Sequence, residues 1–374
     1  FKPNDSYVFF FINRFMENLF DFVKLICSAI ISKSSSFNLS LFLKYNLSIL
    51  GCSLTIIKYL FSNSFTCTSE KRSDDFITLD KSEFEYRLLY DGNYEDRKVL
   101  ANILSIRKIL KESKYKRILV SGWDTKEDWY SVFSNIKEKN CLALESTINE
   151  SSITGIKGTL KKIFLSRIST ILASGSLHNN LLEKLNYKGE VKITRGVGII
   201  NKPDLSVNER RYNKRFIFIG RLSSEKNIEM LIDTFNNLQD YTLTVIGTGP
   251  LENELKNRAK KNIIFSGKVA NKNLKNNFED NDILILPSIS ETWGLVVEEA
   301  LYFGIPSIVS SNCGVSELIK DKVNGFIFDP NKPQNIKNII ENINNEIYLR
   351  LIDGVSKCSL NDKDLEQAKS YDIN

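Results

Sequence analysis

From Lys116 onward, short apolar runs alternate with stretches in which apolar residues recur at helical spacing. Residues 117–120, 141–145 and 170–173 read as strands, and 128–137, 158–168 and 176–185 read as helices between them. A polar stretch at 195–212, carrying Pro203, interrupts the series and marks a domain boundary. A cleaner series follows. Residues 215–219 predict a strand, and Ile228, Leu231, Ile232, Phe235 and Leu238 recur at the period of a helix with one buried face. Further strands are predicted at 243–246, 263–265, 283–286 and 307–309, each separated by a helical segment. Alternation of this kind predicts right-handed βαβ crossovers, and so an α/β chain of doubly wound parallel sheets with ligands at the carboxyl ends of the strands.

Residues 1–115 follow no such rhythm. Phe9, Phe10, Phe11, Phe15, Phe20 and Phe22 crowd one short stretch, and no glycine precedes Gly51. A phosphate-binding strand-to-helix loop needs glycine for close backbone approach, so none is expected before that position. Helices with an aromatic face fit this region, packed in a core by preference or else resting on a membrane surface. The apolar stretches near 19–31 and 47–61 are broken by Asp21, Lys24 and Lys58, which argues against a membrane-spanning helix. The chain opens on Phe1 rather than Met and so reads as a fragment or processed product, and it carries no signal-peptide pattern.

At 374 residues the chain is long enough for two domains, and 42% hydrophobic with 26% charged residues is an ordinary globular balance. The net charge of +6 is spread thinly, without a block of like charges that would form a nucleic-acid arm. It supports at most a weak attraction to anionic lipid or phosphate-bearing ligands. Six cysteines without a C-x-x-C pair predict free thiols in a reducing compartment, and the single histidine, His178, excludes a multi-histidine metal site.

Three constellations carry chemistry. Gly220-Arg221-Leu222-Ser223-Ser224-Glu225-Lys226-Asn227 leaves a predicted strand and opens a helix, placing two cations beside a helix N-terminus, an arrangement suited to a diphosphate. Taken singly, each cation could equally be a solvated surface charge. Val245-Ile246-Gly247-Thr248-Gly249-Pro250 looks like a dinucleotide loop, but Glu252 replaces the third glycine, and a tight turn with Pro250 at the helix start explains it as well. The third runs from Leu286 to Ala300. Glu291 lies in the loop after a buried strand and Glu299 in the helix beginning near Gly294, whose side chains lean back toward the same edge. Two carboxylates suit vicinal hydroxyls, which assigns Glu299 to a ribose, Glu291 to sugar hydroxyls, and Arg221 and Lys226 to the phosphates between. Trp293 and the amides of Gly294, Leu295 and Val296 would wall and hold the same ligand. The competing account is two structural carboxylates capping a helix.

Gly220-Arg221-x-x-x-Glu225-Lys226-Asn227, Gly247-Thr248-Gly249-Pro250, Glu291 and Glu299 with seven residues between them, Gly304-Ile305-Pro306 and Asn324-Gly325-Phe326 together resemble the retaining glycosyltransferases of family 4. The resemblance is close over 215–329 and looser back to about Lys116. It implies a GT-B fold, two Rossmann-like doubly wound domains facing a cleft. Residues 1–200 would be the acceptor-side domain, with 1–115 divergent or incomplete. Residues 213–360 would be the nucleotide-sugar-binding domain, and 361–374 a tail returning to the N-terminal domain. It further implies retention of configuration and no metal or other cofactor. Arg221, Lys226 and Glu291 would act in catalysis; Gly220, Val269 near the base, Trp293, Gly294, Leu295, Val296 and Glu299 would bind donor. The implied partners are a nucleotide-sugar donor, a glycan or lipid-linked acceptor and a membrane surface, with no nucleic acid, in polysaccharide synthesis at the cytoplasmic face of the membrane. Residues 1–60 hold six Lys or Arg against three Asp or Glu, which fits such a surface. The glycine-rich loop that family members carry after their first strand is not found; if 15–19 begins the helix after it, its strand would precede Phe1.

Two other classes compete: a relative that binds nucleotide without turnover, and a sugar-nucleotide epimerase, which would need its own acid and base near the donor. Asp280-Asn281-Asp282 spells a metal-binding D-x-D, but it precedes a strand and so reads as a helix-to-strand turn. His178 reads as a packing or surface residue. Trp123, Asp124, Glu145 and Ser146 follow predicted strands and are candidates for acceptor contact.

Overall fold

The computed structural model describes residues 89, 96–196, 198–199, 202–203 and 210–373. The expectations for the aromatic stretch before residue 61 lie outside the described residues. The chain forms two compact units. The N-terminal unit takes the described residues up to Ser174, with His178–Val197 and Asp364–Asn374; the C-terminal unit takes Gly175–Leu177 and Gly198–Lys363.

In the N-terminal unit, helix α1 (Val99–Glu112) precedes β1 (Ile118–Val120), α2 (Lys126–Phe133), β2 (Asn140–Leu144), α3 (Gly155–Leu165), β3 (Thr170–Ala173), α4 (Ser176–Lys184) and β4 (Glu190–Ile193). The strands form one parallel sheet in the order β1-β2-β3-β4, with Leu119 opposite Cys141 and Leu142 opposite Ile171. β1, β2 and β3 are buried along their whole length, which is why they read as unbroken apolar runs. β4, at the edge and half exposed, was not among the expected strands. Trp129 of α2 meets Phe164 of α3 edge-on at 5.1 Å over a core that includes Val132, Leu142, Ile171 and Leu181.

The C-terminal unit runs β5 (Arg215–Ile219), α5 (Ile228–Asn236), β6 (Thr242–Ile246), α6 (Glu252–Arg258), β7 (Ile263–Gly267), α7 (Leu274–Glu279), β8 (Ile283–Leu286), α8 (Leu295–Tyr302), β9 (Ser307–Ser310), β10 (Gly325–Phe328), α9 (Pro333–Asn342), α10 (Asn345–Ser356) and α11 (Leu360–Ser370). Its six parallel strands lie in the order β10-β9-β8-β5-β6-β7. The chain begins in the middle, winds outward through β6 and β7, then returns to pair β8 against β5, with Phe216 opposite Ile283. Strand order therefore reverses between β5 and β8, and the crevice at their carboxyl ends is the place such a sheet offers a ligand. Ile228, Leu231, Ile232 and Phe235 of α5 are all fully buried, and Phe235 packs edge-on to Phe216 at 5.4 Å.

Asp282 caps the start of β5: its Oδ2 accepts the amides of Asn213 at 2.7 Å and Arg215 at 2.9 Å. Asn281 is buried and bonds Thr244 at 3.2 Å, so the D-x-D triplet is occupied in joining strands at their amino ends. α11 crosses from one unit to the other between Lys363 and Asp364. Beyond that point Glu366 pairs with Arg195 at 2.7 Å and the Asp372 carbonyl accepts from Lys192 at 2.5 Å.

Candidate donor site at the sheet switch point

Loops after β5, β7 and β8 build the site. The β5 loop is fixed to the loop after β6: Leu222 N–H donates to Thr248 O at 3.0 Å, and Leu251 N–H to Leu222 O at 3.1 Å. The glycines of that second loop serve this approach. A Cβ at Gly247 would lie 1.9 Å from Gly220 O, and one at Gly249 would lie 2.3 Å from Leu222 O. The Gly-Thr-Gly turn is thus explained by backbone packing.

Within the β5 loop, Ser223 Oγ donates to Glu225 Oε1 at 2.6 Å. Burial pushes the Glu225 carboxyl up, but that bond, a backbone amide, Lys226 and Arg221 together hold it below the usual carboxylate range. Asn227 adopts φ 54° at the start of α5 and donates through Nδ2 to Pro287 O at 3.2 Å. Ile289 N–H donates to Glu225 O at 2.9 Å, so the β5 and β8 loops are tied to each other.

The tie brings Lys226 against Glu291, whose ammonium and carboxylate form an ion pair with side chains 10% and 7% exposed. The sequence assigns these two residues to different parts of one donor; the structure places them in contact. Arg221 stays exposed on the same loop. Gly294, at φ 103°, turns the chain into α8, and a Cβ there would lie 2.6 Å from Leu286 Cδ2. The first amides of α8, at Leu295 and Val296, have no acceptor within the helix and make its N-terminus a place for an anion. Trp293 is 5% exposed and gives its indole N–H to Glu298 Oε1 at 2.5 Å, so it braces the loop from beneath.

Glu299, 6% exposed, accepts from Asn271 Nδ2 at 2.9 Å. Asn271 follows β7 and stands two residues after Val269, which is half-buried. Loops after β5, β7 and β8 therefore contribute to one sheet edge. Sequence reasoning passed over Asn271, whose only signal was a polar side chain at the carboxyl end of a predicted strand.

The N-terminal unit holds the other candidates. Trp123 is buried, its carbonyl accepting the Trp129 indole N–H at 2.8 Å, and Lys161 Nζ lies 5.2 Å from its ring centroid. Burial raises the Glu145 carboxyl to about 8. Burial and the nearby Glu145 push the Tyr371 hydroxyl up as well. Ser146 is half-buried, and Asp124 is exposed. His178 is fully buried in α4 and Cys141 and Cys313 are buried thiols.

A switch-point crevice with a Lys–Glu pair and a second buried glutamate is the arrangement against which known families can be set. Residues 204–350 match glycosyl transferases group 1. The matched stretch lies within the C-terminal unit. Among relatives, an uncharacterized glycosyltransferase of Methanocaldococcus jannaschii is 28% identical over 41% of this chain and 38% of its own. The UDP-Gal:alpha-D-GlcNAc-diphosphoundecaprenol alpha-1,3-galactosyltransferase of Escherichia coli is 26% identical over 68% of this chain and 73% of its own. The chain spans 35% to 61% of the length of the first three curated relatives it matches. Anabaena HepE, solved in complex with UDP, superposes with a TM-score of 0.63 at 14% identity, covering 86% of this chain and 95% of that one. Sucrose-phosphate synthase from Thermosynechococcus elongatus gives 0.62 at 15% identity, covering 77% and 82%. These likenesses establish the fold as GT-B, with parallel sheets in two Rossmann-like domains.

Proposed function

We propose that this chain moves a sugar from a nucleoside-diphosphate-sugar to a hydroxyl of a glycan or lipid-linked glycan, with retention of configuration and without a metal, in cell-surface polysaccharide synthesis. The observation that carries the reading is the Lys226–Glu291 pair at the switch point, with Glu299 on the adjoining helix. The Escherichia coli relative, whose name specifies a UDP-galactose donor and a diphosphoundecaprenol-linked acceptor, supports the substrate class. HepE, solved with UDP and with UDP-glucose, supports the donor class.

In this mechanism the diphosphate takes Lys226 from Glu291, and Arg221 approaches from the exposed side of the loop. The bond between the anomeric carbon and the phosphate oxygen breaks, and its electron pair leaves on the diphosphate. Lys226, Arg221 and the α8 amides stabilise that growing charge, the role a metal plays elsewhere. Glu291, released from Lys226, accepts from sugar hydroxyls and Glu299 from the ribose, while Val269 borders the base. The new bond forms from the acceptor oxygen on the face the diphosphate leaves, and the acceptor's hydroxyl proton passes to the departing diphosphate oxygen.

We further propose that the protein works at the cytoplasmic face of a membrane. No described helix is long and apolar enough to cross one. Helix α3, however, presents Ile156, Leu160 and Ile163 to solvent, with Lys157 and Lys162 exposed on the same helix and no acidic residue in it.

The test is a thermal-shift panel of UDP, GDP, ADP and NAD, each with and without magnesium. One nucleoside diphosphate at a hundredfold excess over its Kd should stabilise by about 2.7 kcal/mol whether or not magnesium is present. A shift with NAD alone would overturn the reading. Binding without turnover on any lipid-linked acceptor would favour the non-catalytic relative.

A further inference from the structure

One buried ion pair in the C-terminal unit plays no part in the proposed chemistry. Glu298, the fourth residue of α8, is fully buried, and both its carboxylate oxygens are engaged. Oε1 accepts the Trp293 indole N–H at 2.5 Å, and Oε2 meets the ammonium of Lys363. Lys363 is 6% exposed and comes from α11, 65 residues further along, as the last residue of its unit before the chain crosses at Asp364. A buried carboxylate persists only where its charge and lone pairs are met. Here one donor comes from the donor loop and the other from the far end of the unit.

The loop that Glu298 grips is the one between β8 and α8. Trp293 is fixed at its ring by Glu298 and at its backbone, where its carbonyl accepts Val315 N–H at 2.8 Å. Glu291 stands two residues before it, Gly294 and the free-ended helix follow it, and Glu299 is the next residue after Glu298. Moving Glu298 would move all of these together.

We propose that Lys363 is a positioning residue for the donor site. Through Glu298 it locks Trp293, and so sets the placement of Glu291, the first amides of α8 and Glu299. This inference rests on reading that edge as a nucleoside-diphosphate-sugar site.

The experiment compares wild type, K363R, K363M and K363M/E298Q in full-length protein, well below each variant's Tm. Nucleoside diphosphate Kd, donor KM, acceptor KM and kcat are measured, with thermal unfolding alongside. K363M should weaken nucleotide binding and raise donor KM by about tenfold to a hundredfold, the scale of a displaced positioning group, with acceptor KM unchanged. K363R keeps the charge and should stay close to wild type. K363M/E298Q buries no charge, so it should regain stability while donor KM stays raised. That variant also carries the test if K363M does not fold. Recovery of donor KM together with stability would reduce Lys363 to a structural anchor and overturn the proposal. So would wild-type Kd and donor KM in folded K363M, or a loss in K363R as deep as in K363M. Failure of the wild type to bind any nucleoside diphosphate would overturn the donor reading and this inference with it.

Discussion

Glu299 and Asn271 make the clearest case at the scale of single residues. The carboxylate is almost wholly withdrawn from water, yet a neutral amide orients one of its oxygens at 2.9 Å. Such a group is fixed in direction while remaining an acceptor for paired hydroxyls. Glu299→Ala should therefore abolish nucleotide binding by calorimetry. Asn271→Ala, which leaves the carboxylate but removes this bond, should weaken binding by about tenfold, the worth of one net hydrogen bond. An unchanged Kd in Glu299→Ala would sink the ribose assignment. The two differ in how visible they were. The seven-residue spacing of Glu291 and Glu299 is written in the chain, whereas Asn271 sits in an Asn-Lys-Asn turn with no signature. The contact of Lys226 with Glu291 was hidden for another reason: 65 residues separate them, and only the pairing of β5 with β8 closes that distance.

At the scale of elements, caps and burial decided where the sequence reading was sharp. β3, β5 and β8 were expected at the residues they occupy, because β3 and β8 are fully buried runs and β5 is buried through its three central residues. β10 was seen only as a motif, being four residues long at the sheet edge. Helix α2 was expected at 128–137 but begins at Lys126, because Thr125 caps it: Asp128 N–H donates to Thr125 Oγ1 at 3.0 Å. That cap carries a consequence for pH. The Thr125 hydroxyl donates to Asp128 Oδ2 at 2.7 Å, but burial dominates and, with Glu127 and Asp124 nearby, raises the Asp128 carboxyl to about 7 despite Thr125 and Arg97. A carboxyl with a raised folded pKa holds its proton better folded than unfolded. Its stabilisation is complete below the unfolded value near 3.8 and is lost as pH rises toward 7. Glu145, raised to about 8, extends the same trend. Stability of the N-terminal unit should therefore fall between pH 4 and 8, by at most about 1.4 kcal/mol per pH unit for each group. Denaturant midpoints across that range provide the check. Asp128→Asn should flatten the slope below pH 7, and an unaltered slope would exclude Asp128 as its source.

For the whole molecule, the two units differ most in what they leave uncovered. Eight of the twelve large exposed hydrophobic side chains among the described residues lie in the N-terminal unit, so the larger share of uncovered apolar surface is there. Three of them, Ile156, Leu160 and Ile163, stand four and three residues apart on α3 at 81%, 45% and 45% exposure. Its opposite side, through Phe164 and Leu165, is already spent on the core. The sequence could not separate these sides, since both read as apolar at helical spacing and only packing shows which is covered. Lys157 and Lys162 give the open side a positive rim, while Lys161 turns inward to Ser151 Oγ and Ser152 O at 3.0 Å each. An apolar strip rimmed by lysines suits an anionic bilayer, where burial of the strip and attraction of each lysine act together. The protein should sediment with vesicles containing phosphatidylglycerol and much less with neutral phosphatidylcholine, and salt should weaken the association. Replacing Ile156, Leu160 and Ile163 by serine should reduce binding on both lipids. Replacing Lys157 and Lys162 by alanine should remove only the preference for the anionic one, by about thirtyfold at about 1 kcal/mol per lysine. Equal binding to both vesicles in the wild type, or binding untouched by the triple serine variant, would show that α3 faces something other than lipid.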